Sequence, residues 1–145
     1  MSVDLERAKN SLLAHSYTCV LCRGETEFHS VMRGVAPLLD FLDSGNSFGG
    51  FSAADKTVGA GAAHLYVLLK VNSVWAKVIS ESGKQILEQN GISVSYEQLV
   101  PYIINRTGDG KCPIEACVRD TSDSQQALLK IRSTLQVLQQ KKAGM

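Results

Sequence analysis

Apolar and polar positions follow two rhythms along the chain. Val3, Leu5, Ala8, Leu12 and Leu13 approximate the helical period over Val3–His15, with Asp4, Glu6, Arg7, Lys9 and Asn10 on the other side. Ala127, Leu128, Ile131, Leu135 and Leu138 repeat the pattern over Ser122–Lys141. Tyr17–Arg23 and Glu25–Met32 read as two strands of a hairpin turning near Gly24. Gly34–Leu42 predicts a short helix that tolerates Pro37 in its first turn. Asp43–Phe51, rich in glycine and serine, predicts a loop.

The longest apolar, helix-like segment is Ser52–Leu69, SAADKTVGAGAAHLYVLL. Ala54, Val58, Ala62, Leu65 and Leu69 line one side of a helix there. Ser52 reads as its N-cap, and Asp55 could complete a capping-box-like pair. This central helix ends near Lys70–Asn72. Val74–Ser80 reads as a central strand, being largely apolar. Glu81–Asn90 reads as a helix stopped by Asn90-Gly91. Ile92–Tyr96 alternates as a further strand, Glu97–Ile104 is mixed, and Asn105–Lys111 is a polar loop. Pro113–Arg119 reads as a helical turn or an edge segment. Strands separated by helices require right-handed parallel crossovers. The expected fold is a single domain over residues 1–145: a three-layer α/β/α sandwich with a mixed sheet of four or five strands.

Composition adds exclusions. The apolar share is 44%, the charged share 20% and the formal net charge +1. Bulk electrostatics therefore drives binding neither to nucleic acid nor to an anionic membrane. The first residues lack the apolar core of a signal peptide, and the run Ala60–Leu69 falls well short of the ~20 residues that span a bilayer. A cytoplasmic location is expected, with Cys19, Cys22, Cys112 and Cys117 as reduced thiols.

Three stretches carry a resemblance: SAADKTVGAGAAHLYVLL, AKVISE and GISVSYEQLVPYIINRTGDGKCPIEACV. They resemble a small prokaryotic family, domain of unknown function 1893, over the region from the first helix to about Arg119. The resemblance implies a cytidine-deaminase-like fold and no established activity. Zinc-dependent deaminases carry a His/Cys-x-Glu at one helix start and Pro-Cys-x-x-Cys at the next. Here the first start would be Ala54-Asp55-Lys56, without His-x-Glu, and after the next strand comes Ile79-Ser80-Glu81-Ser82-Gly83, without cysteine. No metal and no cofactor are expected, and zinc deamination is not predicted.

The candidate site is read at the N-terminus of the central helix. Asp55 could act as a base there and Lys56 could meet a bound anion, although a cap and a solvated lysine are the plainer reading. Gly59 and Gly61 read as positions of close packing rather than of chemistry. Ser80 and Glu81 end a strand and open a helix, where ligands collect in open α/β sheets; a plain N-cap with a first-turn acid is the alternative. Asn105 and Arg106 could recognise a planar or anionic group, or form a surface turn. Cys112 could be a nucleophile beside Lys111 with Glu115 close by, or an inert buried thiol. Cys19 and Cys22 sit on opposite faces of a strand and are discounted as a metal or disulfide pair. His64 reads as a core or interface histidine. Two functions are expected from these residues. One is binding of a small polar or nucleotide-like ligand, with Asp55, Glu81, Cys112 and Glu115 in catalytic roles and Lys56, Ser80, Asn105 and Arg106 in binding roles. The other is a catalytically silent regulatory or interaction module that forms homo-oligomers, a homodimer being the simplest.

Overall fold

The fold is taken from a computed structural model, which describes residues 2–104 and 110–143. Five strands form one mixed sheet in the order β2-β1-β3-β4-β5. β1 (Cys19–Arg23) and β2 (Thr26–Ser30) are the expected hairpin. β1 also pairs antiparallel with β3 (Ser52–Val58). β3, β4 (Ser73–Ser80) and β5 (Ser93–Val100) run parallel, joined by α3 (Ala60–Leu69) and α4 (Glu81–Gln89). The remaining helices are α1 (Val3–Ala14), α2 (Ala36–Asp43), α5 (Pro113–Cys117) and α6 (Ser124–Ala143).

Ser52–Val58 corrects the expectation of one long helix. It is a central strand, and the helix begins only at Ala60. Alanine favours helices in isolation, but tertiary context overrides that preference. Ala53 packs into the core under α3 and Ala54 into the core under α1, so the segment alternates like a strand buried on both faces. Gly59, extended at φ −99° and ψ −173°, turns the chain from strand into helix. β5 is also longer than Ile92–Tyr96 and runs on to Val100.

The larger core lies on the α3 face and gathers Leu21, Val58, Leu65, Val74, Ile79 and Ile131 among others. All four phenylalanines, Phe28, Phe41, Phe48 and Phe51, interlock near its α2 end with centroids 5.1–6.2 Å apart. The opposite core is small. There α1 alone lays Leu5, Ala8 and Leu12 over Val20, Cys22, Ala54 and Trp75. The ammonium of Lys9 sits 5.1 Å from the Trp75 ring. Cys19 and Cys22 go to the two different cores, as strand alternation requires.

Close approach explains the small residues after β3. A Cβ on Gly61 would stand 2.6 Å from Ile114 Cγ2 on α5. A Cβ on Gly83, in the first turn of α4, would stand 3.1 Å from Val58 O and from Gly59 C and O. The starts of α3 and α4 are thereby brought together. Gly61→Ala should lower stability by about 1–2 kcal/mol in urea unfolding, since a branched, packed side chain must move aside. Gly49→Ala, with nothing within 4 Å of its Cβ, should leave the same curve unchanged or slightly raised.

Candidate functional site

The C-terminal ends of β3 and β4 deliver the chain into two helices whose first turns carry free N–H groups. Residues with little or no side chain expose that backbone at Gly59-Ala60-Gly61 and at Ser82-Gly83. One carboxylate occupies the place between them. Glu115 Oε2 accepts from the Ala60 N–H at 2.8 Å, the Ser80 hydroxyl at 2.5 Å and the Ser82 hydroxyl at 3.4 Å. Its Oε1 accepts from the Ile103 N–H at 2.7 Å. Ser80 Oγ also accepts from the Gly83 N–H at 3.0 Å, and so caps α4 while it donates to Glu115. Negative charge at paired helix N-termini is favourable, and each charge-assisted bond is stronger than a neutral one.

Glu115 comes from the short helix α5, held by the Cys112 N–H donating to Ile103 O at 2.8 Å. Ser80 is fully buried and Glu115 half-buried. These two expected residues do meet. Cys112 is half-buried and opens α5 as its N-cap. Glu81 is exposed on the first turn of α4, where it lines an open groove with Lys84, Gln85, Glu88 and Leu99. Asn105 and Arg106 lie outside the described residues.

Asp55 and Lys56 are not at a helix N-terminus, which corrects the sequence reading. They occupy the middle of β3, where successive side chains point to opposite faces. Lys56 is exposed. Asp55 is buried against α3, with Oδ2 accepting from the Tyr66 hydroxyl at 2.6 Å and Oδ1 from the Thr57 N–H at 3.1 Å. The Tyr66 proton is committed to Asp55, so the Cys19 thiol 3.2 Å away donates to the Tyr66 oxygen. Burial pushes the Asp55 carboxyl up to about 7, outweighing the hydrogen bonds from Tyr66, Thr57 and Lys56 that favour its charged form. Burial and the neighbouring Asp55 charge likewise push Cys19 and Tyr66 well up. His64, on α3, is a core residue. Its Nε2 donates to Thr121 O at 3.1 Å, which leaves Nδ1 to accept from the Ser124 hydroxyl at 2.9 Å. Burial lowers its pKa and favours this neutral form.

Sequence reasoning missed the Cys19–Tyr66–Asp55 network and the backbone donors of Ala60 and Ile103. The available signal for the donors was Gly59-Ala60-Gly61, a bare backbone at a strand-to-helix turn. The helices that follow β3 and β4 begin at Gly59-Ala60-Gly61 and Ser80-Glu81-Ser82, so Ala54-Asp55-Lys56 is not a helix start. Glu115 fills the space between these two helix starts. No group of three His, Cys, Asp or Glu side chains able to hold a metal occurs among the described residues.

A family model described as TM1506, domain of unknown function (DUF1893), matches residues 7–135. The chain belongs to the DUF1893 family. A DUF1893 family protein (TM1506) from Thermotoga maritima, known from its crystal structure, is similar with a TM-score of 0.81 at 25% identity. The match covers 94% of this chain and 91% of that one. The apo dCMP deaminase of cyanophage S-TIM5 matches with a TM-score of 0.44 at 14% identity, over 64% of this chain and 93% of that one. No curated protein matches this DUF1893 chain. No helix among its described residues is long and apolar enough to cross a membrane.

The buried carboxyl gives a pH dependence of definite sign. The folded-state pKa of Asp55 lies above its ordinary value of 3.8, so the fold prefers the protonated form. That stabilisation is complete below 3.8 and is lost as the pH rises through about 7. Urea unfolding across this range should show stability falling by up to about 1.4 kcal/mol per pH unit from this group. Asp55→Asn should flatten the fall, and an unchanged slope would remove Asp55 as its source.

Proposed function

We propose that this DUF1893 protein binds a small anionic, nucleotide-like ligand at the paired N-termini of α3 and α4. Glu115 is then the resident carboxylate, and a phosphate or carboxylate of the ligand takes its place. The observation that carries this reading is the convergence of four donors from three separate segments on one half-buried carboxylate. Two N–H groups and two hydroxyls form a cradle of the kind that holds phosphate at helix N-termini. Ser80 and Ser82 bind through their hydroxyls, Ala60 and Ile103 through their backbone. Lys56 has no part in the cradle, because it is exposed on β3 and lies outside the first turn of α3. Asp55 serves the core and not the ligand.

A second reading is a catalytically silent regulatory module. It draws support from the same carboxylate, which is hydrogen-bonded at both oxygens without any ligand. In that case Glu115 is a tie between α5 and the sheet, and its exchange for an external anion is the regulated event or does not occur.

Chemical rescue separates these outcomes. Glu115→Ala leaves buried donors without an acceptor, which costs about 1–3 kcal/mol. Melting should therefore fall by several degrees, at about 4 °C per kcal/mol. Formate or inorganic phosphate, but not chloride, should restore the lost melting temperature in proportion to its concentration. If neither anion moves the Glu115→Ala variant, the cradle does not accept external anions and the ligand-binding reading fails.

A further inference from the structure

The short helix α5, which carries Glu115, is loosely held. It is five residues long, has no buried residue and lacks a side-chain cap at Cys112. So short a helix is not stable in isolation and depends on its contacts with α3 and α6. Two fixed points flank it. The Cys112 N–H donates to Ile103 O at 2.8 Å, and Val118, 1% exposed, belongs to the larger core. Between them two side chains fasten the turn to the body. Glu115 fills the cradle, and Ile114 packs over α3 where Gly61 has no Cβ. A Cβ at Gly61 would stand 2.6 Å from Ile114 Cγ2, so the glycine is the notch that seats this side chain.

We propose that α5 is a built-in competitor for the cradle, and that the seat of Ile114 on Gly61 sets how tightly the site holds an anion. The inference rests on the ligand-binding reading of the cradle. Glu115 and an external anion need the same donors, the N–H groups of Ala60 and Ile103 and the hydroxyls of Ser80 and Ser82, so both cannot occupy it at once. Binding therefore requires the turn between Cys112 and Val118 to withdraw. The apparent affinity is the intrinsic affinity scaled by the fraction of molecules in which the turn is withdrawn. Ile114 lowers that fraction without touching the anion. The same movement changes the exposure of two thiols. Cys112 and Cys117 are half-buried at the ends of the turn, and the Cys117 thiol donates to Ile114 O at 3.1 Å. Withdrawal breaks that bond and opens the thiol to solvent. Cys19 and Cys22 lie in the two cores and are untouched by it.

Calorimetric titration with inorganic phosphate and alkylation of the native thiols test this together. Ile114→Ala removes the anchor, and Gly61→Ala drives a methyl group into it; both leave the four cradle donors in place. Each variant should bind phosphate about tenfold more tightly than the unmodified protein, although each is less stable. With iodoacetamide, phosphate should speed alkylation of Cys117 in the unmodified protein several-fold, read by mass spectrometry, while Cys19 and Cys22 stay unlabelled. If Glu115→Ala binds phosphate but neither Ile114→Ala nor Gly61→Ala binds it more tightly than the unmodified protein, the competition is overturned and the cradle stands. If Glu115→Ala does not bind phosphate, the ligand-binding reading fails and the competition falls with it. Alkylation of the unmodified protein needs no variant to fold, and a Cys117 rate that phosphate leaves unchanged also overturns the proposal.

Discussion

A single carboxylate ties together the end of the sheet that an open α/β fold uses for ligands. Glu115 reaches from a five-residue helix to the first turns of α3 and α4 and to the backbone at Ile103. Each of those segments has groups that need an acceptor, because helix starts cannot satisfy their own N–H groups. The small residues follow from this constraint. A Cβ on Gly59 would stand 2.9 Å from Glu115 Oε2 and 3.0 Å from Ile103 Cγ1, and one on Gly61 would strike Ile114. The bare backbone there, the serine cap of α4 and the acid of α5 are parts of one solution.

The chain treats its two notable acids in opposite ways. Glu115 stays half-buried and is surrounded by donors. Asp55 is buried in the core, where its donors do not offset the loss of water and the proton is held until about neutral pH. The first acid suits exchange with an external anion. The second suits a fixed role, keeping Tyr66 and Cys19 in register between α3 and the hairpin.

Most elements were legible because their patterns are unambiguous. The amphipathic α1 and α6, the hairpin about Gly24, the capped α4 and the apolar β4 each satisfy one period only. Ser52–Leu69 satisfies two. Its alanines fit a helix and its alternation fits a strand, and only Gly59 marks the change. Placing Asp55 and Lys56 at a helix start followed from reading that segment as continuous. Ser80 and Glu115 were legible as polar residues at element ends, where local chemistry is visible. Their meeting was not, since thirty-five positions separate them and the contact depends on how α5 folds back. The donors of Ala60 and Ile103 are backbone atoms and leave no mark in residue type.

The lopsided covering of the sheet has a practical consequence. Among the described residues five helices follow β2, whereas α1 alone guards the other core. The chain's one tryptophan, Trp75, lies in that smaller core, 4% exposed beneath Lys9. Indole emission in this protein therefore reports the seating of its amino-terminal helix. The four phenylalanines and Tyr66 belong to the other side. A change in fluorescence without a change in far-ultraviolet dichroism marks the lifting of α1 alone, a local opening distinct from collapse of the domain.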